Sequence, residues 1–331
     1  MKLKSMEFFK PNSNVNFMGV RKFSVTLSLL LMLASIVSLS TRGLNFALDF
    51  TGGTLVEVSF GTPVDQGEIG KALEAAGFHG AVVQRFDSTN FAIRLAPKSG
   101  GESSKTQASQ SEGQLNASNA AIANRVQAVL GEGGRQVTIK RSEYVGPQVG
   151  KELATNGIVA VVVVLTGIAL YIWIRFEWRF AIGVIMTELH DVILTLGFFS
   201  ITGIDFDLTV LAAVLAVDGY SVNDTIVVFD RVRELFRSAR KGTSLEILNK
   251  AVNSTLSRTI MTSLATMLTV MALYLFGGPT LHGFSLALIV GIVVGTLSSI
   301  FFACPMLYFF GVSKQDLMPK LRDDAELARR P

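Results

Sequence analysis

The chain has 331 residues, 49% of them apolar and only 17% charged, with a mean hydropathy of +0.44 and a formal net charge of +4. A soluble domain carries about a quarter of its residues as charges, so this composition excludes a disordered or nucleic-acid-coating chain and argues against a soluble enzyme. The apolar residues fall in blocks, which makes a membrane the natural solvent.

The charge excess lies at the start of the chain. Residues 1–42 carry six Lys/Arg against one acid, 43–150 carry nine against ten, and the remainder fifteen against fifteen. That distribution suits a cytoplasmic anchor (residues 1–22) better than a polyanion-binding face. The first apolar block, 23–41, is long enough to cross about 30 Å of hydrocarbon. Its basic start and the small residues at Ser38-Leu-Ser40 also fit a cleaved signal peptide, which would leave the downstream orientation unchanged.

Residues 43–150 are too polar for a bilayer and too varied for a linker. Apolar alternation predicts strands at 53–60, 81–87 and 91–95, the last two a hairpin around Ser88-Thr-Asn90, and another at 136–145. Helical spacing predicts helices at 64–76 and 119–130. The order βαββαβ is the ferredoxin-like split motif, an α+β domain outside the membrane. A Ser/Gly/Gln-rich stretch at 97–116 interrupts it and reads as a mobile surface loop. His79 stands alone and no catalytic spacing occurs, so contact is the expected role of this domain.

Five further blocks at 157–174, 180–204, 208–229, 259–276 and 284–310 complete a polytopic α-helical protein with six transmembrane helices, spans two to six occupying 151–312. Arg175 and Arg179 lie in one connection, and Arg231, Arg233, Arg237, Arg240, Lys241 and Lys250 in a longer one between the fourth and fifth spans. The alternate connections 203–207 and 277–282 have no Lys or Arg. Both termini, including the tail 313–331, are therefore expected in the cytoplasm. Cys304 is the single cysteine, so no disulfide framework or Cys-rich metal site is expected.

Charges inside spans are costly and usually face a bundle interior or a hydrated path. The third span holds Glu188, His190 and Asp191, the fourth Asp218 and Asp224, and the fifth begins at Arg258. Glu188 and Asp191, three apart, share a helix face and could hold one proton between them, or could pair with His190 or with basic loop residues. Asp224 and Arg258 lie at similar depth on antiparallel spans. An arginine that approaches and leaves a buried aspartate could release and reload its proton, although a static salt bridge fits the same residues. Asp218 and Asp224, six apart, fall on different faces. Gly291 and Gly295 make a small-xxx-small pair for close helix packing, and Pro305 should bend or end the last span.

Several collinear motifs resemble one family. Leu48-Asp-Phe-Thr-Gly-Gly-Thr54, Tyr144-Val-Gly-Pro-Gln-Val-Gly150, Leu189-His-Asp191, Gly219-Tyr-Ser-Val-Asn-Asp-Thr-Ile-Val-Val-Phe-Asp-Arg231 and Tyr274-Leu-Phe-Gly-Gly-Pro279 are similar to those of the SecD/SecF family, within the RND-like superfamily, on its SecF side. The resemblance implies a non-enzymatic inner-membrane subunit with its α+β domain in the periplasm. It implies SecD as partner, with the SecYEG channel, SecA, YajC, YidC and an unfolded preprotein as further contacts, and no nucleic acid. Protons would be the coupling ion, with no cofactor and no metal. Asp224, Arg258 and Asn223 would form the proton relay, Glu188, His190, Asp191 and Asp218 a secondary path, and Asp49, Phe50, Gly52 and Gly53 a structural motif. Asp218 departs from the family pattern, which expects an apolar residue there, and the 97–116 insertion enlarges the domain. An RND-type exporter of small molecules or lipids shares the fold logic. An intramembrane aspartyl protease would want a Gly-x-Gly-Asp signature, which the sequence lacks.

Overall fold

A computed structural model describes residues 15–96, 112–132, 134–239 and 242–313. The expected segments 1–22, 97–116 and 313–331 thus lie partly outside the described residues. In chain order the elements are a 3-10 turn (Phe17–Val20), α1 (Arg21–Thr41), β1 (Asn45–Phe46), α2 (Leu48–Thr51), β2 (Gly53–Phe60), α3 (Gln66–Ala75), β3 (Val82–Arg85), β4 (Asn90–Leu95), α4 (Glu112–Gly131) and β5 (Val137–Val145). There follow α5 (Pro147–Arg175), α6 (Trp178–Thr202), β6 (Asp205–Phe206), α7 (Leu208–Ser238), α8 (Ser244–Phe276), α9 (Pro279–Ser298), a π-helical stretch (Ser299–Ala303) and α10 (Cys304–Phe309). Six of these helical stretches are long and apolar enough to cross a membrane.

The chain divides into two units, 1–45, 162–204 and 209–331 in one and 46–161 with 205–208 in the other. In the second, strands run in the order β3-β4-β2-β5, with all three pairings antiparallel. Alternate residues Val56, Val58 and Phe60 of β2 and Phe91, Ile93 and Leu95 of β4 bury one sheet face against Ile69 and Leu73 of α3 and Val126 and Leu130 of α4. The Asp65 side chain caps α3 by accepting from Gly67 N. Asp87 closes the β3–β4 turn by accepting from the backbone of Thr89 (2.7 Å) and Asn90 (2.8 Å). Those bonds, with the Asn90 side chain first, hold its carboxyl well below the usual carboxylate range.

The two consecutive glycines after α2 have a steric cause. Gly52 (φ +68°) and Gly53 (φ +125°) both occupy backbone conformations that L side chains rarely adopt. A Cβ on Gly53 would stand 2.3 Å from the Leu95 carbonyl oxygen, and one on Gly52 would stand 2.9 Å from Pro147 Cα. Gly150 meets the same turn, where its Cβ would stand 2.9 Å from Gly52 N. Beside this turn Phe46, Phe50 and Phe206 form an aromatic cluster. Asp49 Oδ2 accepts from Leu208 N (3.1 Å) at the start of α7, a favourable place for a carboxylate at a helix N-terminus. Arg94 pairs with Asp205 (2.8 Å) and donates to the Phe46 carbonyl (2.9 Å).

In the membrane unit α1 lies close along α6. A Cβ on Gly197 would stand 2.2 Å from Ser35, and Ser38 and Ser200 share a hydroxyl hydrogen bond of 2.8 Å. The long loop expected between the fourth and fifth spans is instead mostly helix. The α7 helix continues to Ser238 and α8 starts at Ser244 with a Thr243/Glu246 capping box. Val232, Phe236, Ile247, Leu248, Ala251 and Val252 bury one side of these extensions, while their basic residues face outward or pair. Arg175 binds Asp230 (2.9 Å) and Arg233 binds Glu177 (2.9 Å). Near the last span's end, Pro305 has no N–H to give the preceding turn, and the helix widens into the π-helical stretch just before it.

Candidate functional site

Three ionisable side chains of α6, Glu188, His190 and Asp191, are buried, as are Asp218 and Asp224 of α7. Asp191 is 1% exposed and is held by three helices. His190 Nδ1 lies 2.8 Å from Asp191 Oδ1, within hydrogen-bond distance. Ser221 of α7 donates to Asp191 Oδ2, and Ser298 of α9 donates to the same oxygen at 2.7 Å. The His190 ring stacks on Phe302 at 4.3 Å and 16°, and its Nε2 has no hydrogen-bond partner among the described residues.

The glycine pair of α9 makes this arrangement possible. A Cβ on Gly291 would stand 2.1 Å from Val217 Cγ1, and one on Gly295 would stand 2.8 Å from Ser221 Oγ. Without side chains there, α9 approaches α7 closely enough for Ser221 and Ser298 to meet on one carboxylate. A second polar line joins α7, α8 and α9, from Tyr220 to Ser263 (3.4 Å) to Thr296 (2.7 Å), whose hydroxyl donates to the Ile292 carbonyl.

Glu188 and Asp218 lie against each other. The sequence pairs Glu188 with Asp191 on one helix face; the structure gives Asp191 its own donors and sets Glu188 against the neighbouring helix. Asp218 is 1% exposed and, among the described residues, neither of its carboxylate oxygens meets a hydrogen-bond donor; Glu188 Oε1 is likewise unpartnered there.

Asp224, 3% exposed, sits one and two-thirds turns further along α7, with Oδ2 unpartnered. Arg258 of α8 is within electrostatic reach. No ion pair within 4 Å joins the two among the described residues, so the static salt bridge weighed from the sequence is not the arrangement found. Asn223, expected beside Asp224 in a relay, points the other way. With Ala212, Ala216 and Gly219 it makes an exposed stripe along α7. Asp49, Phe50, Gly52 and Gly53 form the turn described above, in the other unit.

Ser221, Ser298, Phe302, Tyr220, Ser263 and Thr296 were not singled out from the sequence. Their signal was the run of hydroxyls at helical spacing in otherwise apolar spans, among them Ser298 one turn beyond the small-xxx-small pair.

Two family profiles match the chain. One is the SecD/SecF GG motif, over residues 37–64, and the other the C-terminal part of the protein export membrane protein SecD/SecF, over residues 125–313. The chain is 44% identical to the protein translocase subunit SecF of Pseudomonas aeruginosa, over 94% of this chain and 96% of that one. It is 43% identical to the SecF of Vibrio alginolyticus, over 95% of both. Among solved structures it is similar to SecDF, a translocon-associated membrane protein from Thermus thermophilus, with a TM-score of 0.78 and 34% identity over 92% of this chain. The super-membrane-facing form of SecDF gives a TM-score of 0.64 at 35% identity. The chain spans 39% of the length of either structure.

Proposed function

The chain belongs to the SecD/SecF family of protein-export membrane proteins, and from that premise we propose that it is the SecF-like half of a proton-driven assembly that assists Sec-dependent export across the inner membrane. It is a multi-pass membrane protein and a Sec translocase subunit. In this reading Asp224 takes up and releases the coupling proton as Arg258 moves toward and away from it. The observation that carries it is a buried aspartate whose cation stands in reach without being bound, since a pair locked at ion-pair distance would resist such cycling. Each proton crossing delivers about 2.3 kcal/mol per 100 mV of membrane potential. Asp191 with His190, and Glu188 with Asp218, would extend the path on the same side of α7. Asn223 is reassigned to the exposed stripe.

That stripe, Ala212, Ala216, Gly219 and Asn223, is the kind of small-residue face on which another helix packs, and it supports SecD as the neighbour in the bilayer. SecYEG and SecA, with YajC and YidC, would be reached through that assembly. The second unit, whose strand order β3-β4-β2-β5 supports reading it as a ferredoxin-like domain, would face the periplasm and touch the emerging preprotein, with both termini in the cytoplasm. The test is preprotein export into inverted vesicles with or without this chain and with or without a proton gradient. Stimulation by the gradient only when the chain is present is expected. Export indifferent to the chain, with gradient-driven efflux of small molecules or lipids, would favour the RND-type exporter instead.

A further inference from the structure

We propose that Glu188 and Asp218 form a second proton site, holding a single proton between two carboxyls, distinct from the Asp224–Arg258 pair. The argument starts from what each oxygen meets. A carboxylate only accepts hydrogen bonds, and a buried acceptor without a donor is costly. Asp191, from the same helix as Glu188, has its oxygens taken up by His190, Ser221 and Ser298. Asp218 has no such donor: both its oxygens are buried and unpartnered, and the group against it is the carboxyl of Glu188, with Oε1 also unpartnered. Two facing acceptors make no bond until one of them carries a hydrogen.

Among the described residues no cation stands in for that hydrogen: His190 on the same helix is turned to Asp191, and Arg258 of α8 is in reach of Asp224. Asp191 is the other charged group in reach, and it is an acid. The packed helices α1 and α9 carry no Lys, Arg, Asp or Glu beyond Arg21 and Lys22 at the start of α1, and the one titratable side chain of α9 is His282 near its beginning. Uptake of one proton from water forms an O–H on one carboxyl, which donates to the other; release to water restores two facing acceptors. Like-charged carboxyls in so dry a place cannot both ionise without large repulsion, the logic of shared-proton carboxyl pairs. The pair itself stands on geometry; its place on a transport path rests on the export reading above.

The test is infrared difference spectroscopy of the full chain in lipid vesicles, reading the C=O stretch of a buried protonated carboxyl at neutral pH. The wild type is expected to show such a band that Asp224→Asn leaves in place. Glu188→Gln and Asp218→Asn are each expected to remove it, because the new amide supplies the hydrogen that the proton supplied. The two near-isosteric variants are independent, so one suffices if the other misfolds. A band that survives both single substitutions, or its loss in Asp224→Asn, would overturn the shared-proton assignment. Loss of the wild-type band on adding sodium at fixed pH would overturn it in favour of a metal cation. Export assayed in the same vesicles separates the two claims. An intact band with gradient-indifferent export removes the translocation reading alone, and a missing band with gradient-driven export removes the pair alone.

Discussion

Gly53 shows how one missing methyl group shapes the second unit. An alanine there would combine a left-handed backbone with a clash against the Leu95 carbonyl at 2.3 Å, and backbone cannot step aside as a flexible side chain can. Strain of this kind costs about 1–3 kcal/mol. Gly53→Ala is therefore expected to lower the thermal stability of the unit, read by hydrogen exchange in β2 and β4 of the full chain, while Gly70→Ala, at a site with open space, is not. Asp205 offers a pH test outside the membrane. Burial pushes its carboxyl up, the Arg94 guanidinium opposes that, and Asp207 adds to it. A carboxyl raised on folding adds stability that is full below its unfolded value and is lost as pH rises through the folded one. Arg94→Met removes the opposing charge, so protection of the Phe206 and Leu208 amides should fall more steeply toward neutral pH than in the wild type. Asp87 has the opposite sign: its lowered carboxyl supports the β3–β4 turn above the usual carboxylate range, and that support fades on acidification. In the proposed relay, the lack of a bound geometry between Arg258 and Asp224 among the described residues would make charge matter more than the guanidinium fork. Arg258→Lys is expected to keep most gradient-driven export and Arg258→Gln to lose it; equal loss in both would show that the planar fork is needed.

Between helices, the contact that matters most is α7 against α9. Gly291→Ala would drive a methyl into Val217, and overpacking of this kind typically costs 1–3 kcal/mol. Val217→Ala in the same chain should restore the stability that Gly291→Ala removes, because the added and deleted methyls occupy the same space. A double variant no better than the single would separate the two positions. This contact also marks the limit of what periodicity reveals. The small-xxx-small spacing was legible as close packing, but nothing in one sequence said that the neighbour was α7, or that Ser221 and Ser298 would converge on Asp191. Face assignments within a helix follow from its 3.6-residue repeat; partners across helices do not. For the same reason Glu188 read as a partner of Asp191, its neighbour on one helix, and not of Asp218. The extensions of α7 and α8 were missed because their density of arginines reads as loop, although Val232, Phe236, Leu248 and Val252 keep a buried stripe. The start of α4 at Glu112 was hidden by Ser/Gln-rich composition that resembles a linker.

Taken over the full chain, the apolar blocks placed all six long helices, because hydropathy over a span is insensitive to tertiary context. Strands β2, β4 and β5 were legible from alternation, since one face of the sheet is buried on α3 and α4. Intramembrane acids drew attention because they are expensive where they lie, and the structure buries each of them. Asn223 is Asp224's neighbour in the chain, but a step of one residue turns a helix by about 100°, and Asn223 lies on the exposed stripe while Asp224 is buried. In the assembly proposed above a buried aspartate would carry the proton, and that aspartate can be changed without altering its size. The most direct measurement is export into inverted vesicles carrying wild-type or Asp224→Asn chain, each with and without an imposed proton gradient. Stimulation of the wild type by the gradient, with the variant held at its gradient-free rate, is the expected result; equal stimulation of both would contradict the assignment of Asp224 as the coupling group.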